Sequence, residues 1–374
     1  MPLDRARRRF PEGQMLASAH GLRQNGASNC AIEEGIVNNT NQPLPAGPTL
    51  RGKNVLVTGG AGFIGSHLCE RIAQDSPGRL VVVDNLFLGR EENLSGARQS
   101  YPGLRLYRQD AADYDAMAAI VASEGIQVVF NLAIVPLPAS LVNPRWTVDH
   151  NVALSTVAAE LLRLGLYETL VHFSSSEAYG SASYVPMDED HPCQPSTPYA
   201  ASKLAGDYVV LSYRETYGVD ATILRPFNNF GPRQNAGTYA GIIPIVVNRA
   251  LRGEPMVIYG DGEQTRDFVF VRDTADAAVR MYESPATRGR VVNVASGVEV
   301  TVNRLVREIL DALDIDIPII HEDARPGDVR RHCGATKLAR ELIQFEPRTD
   351  LTAGLIETVA WYRETLSGAG GSNV

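Results

Sequence analysis

Residues 54–65 read NVLVTGGAGFIG. The short apolar run Asn54–Thr58 with a turn behind it reads as a buried parallel strand, and Gly62 to about Gln74 as the helix that follows. Gly59, Gly62 and Gly65 stand between strand and helix at the spacing GxxGxxG. In that setting Gly59 permits a tight turn, Gly62 lets backbone approach a pyrophosphate, and Gly65 lets the helix lie against the sheet. The first N–H groups of the helix, at Phe63 and Ile64, and its positive dipole end attract phosphates. About 20 residues on, Asp84 ends the next apolar run, followed by Asn85; an acid there bonds the ribose hydroxyls of NAD and repels the extra phosphate of NADP. Arg90 nearby leaves a smaller opening for NADP. The sequence thus predicts an NAD site built on a strand–turn–helix unit.

Further runs continue the alternation. Leu80–Val83, Leu104–Tyr107, Val128–Leu132, Thr169–Phe173 and Ala221–Leu224 read as strands, and Val148–Leu164 and Pro198–Tyr217 as long helices. Strands alternating with helices predict an α/β fold with a Rossmann-type doubly wound parallel sheet. The rhythm changes near Pro226. Asn228–Asn235 reads as a loop and Ile242–Leu251 as a helix, while Phe268–Val271 and Val291–Val294 read as strands returning to the first sheet. The expected organisation is an NAD-binding domain over 51–226, completed by 268–297, with a smaller mixed α/β substrate-binding lobe from 227–267 and 298–374. Residues 1–50 lack periodicity and are rich in Asn, Gly, Pro and Gln; they read as a mobile extension without a part in the chemistry.

Composition narrows the function classes. The formal net charge is −8, and no basic stripe appears, so no nucleic-acid partner is expected. No apolar run approaches the roughly 18 residues of a membrane span. No apolar stretch follows the arginines at 5–9, so no signal peptide is read. Cys30, Cys69, Cys193 and Cys333 are scattered without a CxxC pair, which suits free thiols in a reducing cytoplasm and no metal site. Lysine occurs only at Lys53, Lys203 and Lys337, so a lysine within a motif carries weight.

Lys203 lies four residues after Tyr199 on the predicted helix, so the two face the same way. An ammonium beside a phenol favours the phenolate, and the Tyr199 pKa is expected to fall. Such a tyrosine takes a proton from a substrate hydroxyl while hydride leaves for the nicotinamide. Ser175, just past a strand end, is placed to hydrogen-bond the same hydroxyl.

With these residues in order, the chain resembles the extended short-chain dehydrogenase/reductase family of nucleotide-sugar epimerases, dehydratases and decarboxylases. The resemblance runs from about Lys53 to Leu366 through TGGAGFIGSHL, VVDNL, Asn-Leu-Ala at 131–133, SSSEAYG, PYAASK, LRPFNNFGPRQ, YGDGEQTRDFVFVRD and ARPGD. It implies Asp110 and Ala111 by the adenine, with Leu132, Ala133 and Asn151 along the NAD groove. Asn228 and Arg266 would hold a substrate diphosphate, Arg325 and Asp328 its nucleoside (usually uridine or thymidine), and Arg233 would lie on the second-lobe side. A homodimer through the helices near 148–164 and 198–217 is also implied.

The shared first step in such enzymes is oxidation at sugar C4. Epimerases resembling this chain carry small residues after the serine, whereas here Glu177 follows, where a carboxylate reaches C5. Dehydratases carry an Asp–Glu pair and this chain has Ser176–Glu177, although some family dehydratases are similar to SSSEAYG and the VPMDEDHP stretch beyond it. Glucuronate decarboxylases carry Thr-Ser-Glu, one conservative change from Ser175-Ser176-Glu177. The sequence therefore ranks decarboxylation of UDP-glucuronate to UDP-xylose or its 4-keto form first, 4,6-dehydration second and 4-epimerisation third. A non-catalytic NAD-binding sensor is the remote alternative, since such proteins usually lose Tyr or Lys.

Overall fold

The computed structural model describes residues 47–324 and 329–369. Residues 1–46 of the extension read as 1–50, and Arg325 and Asp328, lie outside the described residues; the end of that extension was misplaced, because Leu50 is fully buried in the core. Strands are β1 (Asn54–Thr58), β2 (Arg79–Val83), β3 (Arg105–Tyr107), β4 (Val128–Asn131), β5 (Thr169–Phe173), β6 (Ala221–Pro226), β7 (Asn228–Phe230), β8 (Met256–Tyr259), β9 (Thr265–Arg266), β10 (Phe268–Phe270), β11 (Val291–Val294), β12 (Val300–Thr301) and β13 (Ile319–Glu322). Helices are α1 (Phe63–Gln74), α2 (Ser95–Ser100), α3 (Tyr114–Glu124), α4 (Leu137–Val142), α5 (Pro144–Arg163), α6 (Pro198–Tyr217), α7 (Ile242–Leu251), α8 (Val271–Glu283), α9 (Val302–Leu313), α10 (Lys337–Ile343) and α11 (Leu351–Ala369).

Seven strands form one sheet in the order β3-β2-β1-β4-β5-β6-β11, and every pairing in it is parallel. Helices cover both faces, so the strands read as unbroken apolar runs instead of alternating; every residue of β4, β5 and β6 is buried. The order reverses between β1 and β4, and a crevice opens there at the carboxyl ends of the strands.

Local chemistry sets the start of each helix that faces this crevice. No side chain caps α1, so its first N–H groups are left for a ligand. Helix α6 begins where it does because the Thr197 hydroxyl accepts from the Ala200 amide at 3.1 Å and Pro198 holds the first helical position. That start fixes the face on which Tyr199 and Lys203 stand. Helix α5 begins four residues before the predicted Val148, because Pro144 opens it instead of breaking it.

A separate hydrophobic cluster joins α7, α9 and α11 with Phe230, Phe268 and Phe270. One expectation fails here. Val291–Val294 does return to the main sheet, beside β6, but Phe268–Phe270 does not. It pairs with β7 in a two-stranded parallel ladder. The edge of β6 is already taken by β11, and Val271, read as strand, opens α8 instead.

A Cβ on Gly65 would lie 2.2 Å from the Gly59 carbonyl oxygen and 2.8 Å from the Gly60 Cα. Gly65→Ala is expected to cost about 1–3 kcal/mol, because the obstacle is backbone. The urea midpoint should fall with an unchanged slope; an unmoved midpoint would mean that α1 has room to slide.

Candidate active site

A cavity of about 550 Å³ fills the crevice. Most of the residues singled out in the sequence line it: Gly59, Gly62, Phe63, Ile64, Gly65, Asp84, Asn85, Asp110, Ala111, Leu132, Ala133, Ser175, Ser176, Glu177, Tyr199, Lys203, Asn228 and Arg233. Asn151 does not. It stands behind the wall, bonding the amide and carbonyl of Val135 and the Ser202 hydroxyl, and so braces the strand-to-α4 segment. Arg266 lines a second cavity of about 580 Å³ with Arg249, Tyr259, Gln264 and Phe268, and Asn228 belongs to both. The Arg266 guanidinium donates to the carbonyls of Thr265 and Val329.

The crevice suits a dinucleotide. Gly59 adopts φ +67, and a Cβ on it would lie 2.9 Å from the Ala133 amide nitrogen, so only glycine lets the turn close against that wall. Asp84 accepts from the amides of Ala61 at 3.0 Å and Leu86 at 2.8 Å. Burial raises its carboxyl above the usual range, and the two amides act in the opposite direction. Asp110 lies 3.3 Å from His150. The amides of Leu132 and Ala133 both donate to Thr58 Oγ1.

Sequence reasoning missed an aromatic rim. Phe87 lies edge-on to Trp146 at 5.7 Å and tilted against Tyr239 at 6.1 Å, while Trp146 stacks on His150 at 5.6 Å. These four come from three distant segments, and nothing in their local spacing announces a common surface.

Tyr199 and Ser175 are hydrogen-bonded, and Glu177 follows on the turn Ser176–Tyr179. The expected fall in the tyrosine pKa is not found. Burial pushes the Tyr199 phenol up to about 12; the Ser175 bond lowers it, but the charges of Glu177 and Asp207 add to the rise. Lys203 donates to the Phe173 carbonyl, and burial pulls its ammonium down to about 8. Desolvation outweighs the neighbouring-charge effect that spacing suggested.

Arg233 lines the cavity with a braced guanidinium. It binds both oxygens of Glu70 at 2.8 and 2.9 Å, the Asn93 carbonyl at 2.7 Å and the His67 ring. Burial and then the Arg233 charge hold His67 down at about 3, so the imidazole stays a neutral acceptor.

Residues 55–295 match the NAD dependent epimerase/dehydratase family. The chain belongs to this family. A UDP-glucose 4-epimerase of Mycolicibacterium smegmatis is 37% identical over 82% of this chain and 98% of its own length. A UDP-glucose 4-epimerase of Thermotoga maritima, solved with UDP-glucose, superposes with a TM-score of 0.78 at 33% identity, covering 84% of this chain and 99% of that one. DesIV, a dTDP-glucose 4,6-dehydratase of Streptomyces venezuelae solved with NAD, gives 0.78 at 29% identity, covering 84% and 98%. The chain is therefore an NAD-dependent member of the extended short-chain dehydrogenase/reductase enzymes that act on nucleotide sugars. Among the described residues no helix is long and apolar enough to cross a membrane, and no cluster of three metal-ligating side chains is present.

Asp84→Ala is expected to weaken NAD binding about 10- to 100-fold, the worth of a charge-assisted hydrogen bond. Removing the carboxylate also removes its repulsion of a ribose phosphate, so the preference for NAD over NADP should shrink. Calorimetric titration with both dinucleotides reads both effects; an unchanged ratio would take Asp84 away from the ribose.

Proposed function

We propose that the chain oxidises C4 of a nucleotide-linked hexose and then eliminates water across C5 and C6, as a 4,6-dehydratase does. The observation that carries this reading is the place of Glu177, which lines the cavity beside Ser175 and Ser176 and whose charge acts on the Tyr199 phenol. A 4-keto group acidifies the C5 proton, and a carboxylate on that side is the base to take it. Inversion at C4 alone needs no such base.

Tyr199 takes the proton of the C4 hydroxyl, Ser175 hydrogen-bonds that hydroxyl, and Lys203, anchored on the Phe173 carbonyl, lines the site with them. NAD, when bound, supplies the hydride acceptor for C4 and a cationic ring that helps to draw the proton from Tyr199. Glu177 removes the C5 proton and returns it to the departing 6-hydroxyl, which leaves as water, with the Ser176 hydroxyl relaying. The hydride taken from C4 is then returned to C6 while Glu177 delivers a solvent-derived proton to C5, which makes the C6 methyl group and closes the redox balance. Asn228 and Arg266, at the second cavity, hold the diphosphate, with Arg233 at the lobe side; Arg325 and Asp328 are assigned to the nucleoside. UDP and dTDP are the carriers to try first.

Decarboxylation of a UDP-hexuronate is the second reading, favoured by Ser175-Ser176-Glu177 itself. It ranks lower for a physical reason. A C6 carboxylate needs a cationic partner, and the cavity's described cations are engaged, Lys203 with Phe173 and Arg233 with Glu70 and Asn93.

The test is proton NMR in D2O with NAD and, in separate tubes, UDP-glucose, dTDP-glucose, UDP-N-acetylglucosamine and UDP-glucuronate. The expected product has a C6 methyl group and deuterium at C5, and Glu177→Gln should lose it by about 100-fold or more. A pentose from the glucuronate tube would move the assignment to the decarboxylase. An inverted C4 coupling without deuterium would establish an epimerase and overturn the role of Glu177.

The homodimer is proposed on the same footing. Leu164 at the end of α5 and Tyr208 and Tyr217 on α6 are exposed, and large apolar groups there suit a helix-to-helix interface. Sedimentation should give twice the 40.6 kDa of one chain; a species at the single mass would remove the proposal.

A further inference from the structure

A line of buried polar side chains runs across the carboxyl ends of the strands, beneath the catalytic pair. It starts at the cavity wall, where the amides of Leu132 and Ala133 both donate to Thr58 Oγ1 at 3.1 Å. The Thr58 hydroxyl in turn donates to Asn131 Oδ1 at 2.7 Å. The Asn131 amide then donates to His172 Nδ1 at 3.2 Å, which leaves the imidazole proton on Nε2. Nε2 faces Asp207 Oδ1 at 3.9 Å, and neither atom has a closer partner. The other Asp207 oxygen accepts from Ser174 Oγ and from Arg225 Nη2, each at 2.6 Å. From Leu132 to His172 every donor points the same way, and the line stops at Nε2, which faces the Asp207 carboxylate without a hydrogen bond. Thr58, Asn131, His172, Asp207 and Arg225 are each no more than 3% exposed.

Asp207 stands one turn beyond Lys203 on α6. The residues it faces on β5 and just beyond, His172 and Ser174, flank Phe173, whose carbonyl takes the Lys203 ammonium. Ser174 also precedes Ser175, the partner of Tyr199. We propose that Asp207 is the positioning residue of the site: it fixes the end of β5 that carries the Lys203 acceptor and Ser175, and it is the buried carboxylate one turn along α6 from Lys203. This rests on the assignment of Tyr199 and Lys203 to catalysis and is independent of which product forms.

The other groups around Asp207 do not supply that charge. Arg225, from β6, is a cation that binds Asp207 and lies 4.4 Å over the Tyr179 ring. His172, from β5, is held neutral by burial and by Lys203. Glu177, from the turn after β5, acts on Tyr199. Burial draws the Lys203 ammonium down, and Asp207 is the group that opposes it.

Three lysines in the whole chain make the experiment direct. The full-length protein is grown with lysine labelled with carbon-13 at the ε position, and the ε signals are followed against pH in wild type and in Asp207→Asn. Lys53→Arg and Lys337→Arg assign the other two signals, which serve as internal controls. The Lys203 midpoint should fall by about one pH unit in Asp207→Asn, with the controls unmoved, and Asp207→Glu should recover part of the fall. Asp207→Asn leaves Arg225 buried without its partner, so the double variant Asp207→Asn/Arg225→Met, which removes both charges, is measured beside it. A Lys203 midpoint at its wild-type value in Asp207→Asn overturns the proposal; the double variant, which also loses the opposing Arg225 charge, is compared with Arg225→Met alone, and equal midpoints in those two overturn it as well. The readout needs no substrate, so failure of the dehydratase reading leaves it standing or falling separately.

Discussion

A methyl group on Gly65 would meet the Gly59 carbonyl at 2.2 Å, so α1 and the turn after β1 lie together at a distance only hydrogen permits. Much of the site follows from that approach. It sets where the first amides of α1 point, and it brings the Ala61 amide onto the Asp84 carboxylate at the end of β2. From the other side, Thr58 at the end of β1 receives the amides of Leu132 and Ala133. Three adjacent strand ends are thus tied through one turn, and the crevice has rigid walls on both sides of the point where the strand order reverses.

The parallel sheet was legible because burial on both faces writes it as apolar runs between glycine-rich or polar turns, as at Val55–Thr58 and Val128–Asn131. The place of α6 was legible for a similar reason, since Thr197 and Pro198 mark its start chemically. Phe268–Phe270 was misplaced because three apolar residues contain no record of which edge is free. That depends on β11, from further along the chain, lying against β6. The start of α5 was misread because Asn143–Pro144 looks like a break when it is an opening.

The candidate site was legible where one segment carries it, as in SSSEAYG and Tyr199–Lys203, and illegible where several segments meet. Asp207, His172, Asn131 and Thr58 come from four separate elements, α6, β5, β4 and β1, and only the alignment of strand ends brings them into one line. The direction of the Tyr199 shift was illegible too. Helical spacing reports a neighbour's charge but not the depth of burial, and burial is the larger effect here. Asn151 shows the converse: a residue assigned to the groove by resemblance sits behind it, shaping the wall instead of facing the cavity.

Asn228 lines both cavities, as Ala240 does, and it is not loose. Its backbone and side-chain nitrogens both donate to the Asp267 carbonyl, at 3.0 and 3.1 Å, in the short β7–β10 ladder. A ligand reaching through both cavities is therefore divided at a fixed fulcrum. Its far end becomes a handle, whose intrinsic binding energy is available to hold the near end in a reactive pose. Trimming the handle would then slow turnover as well as weaken affinity, while changes at the two ends would add independently.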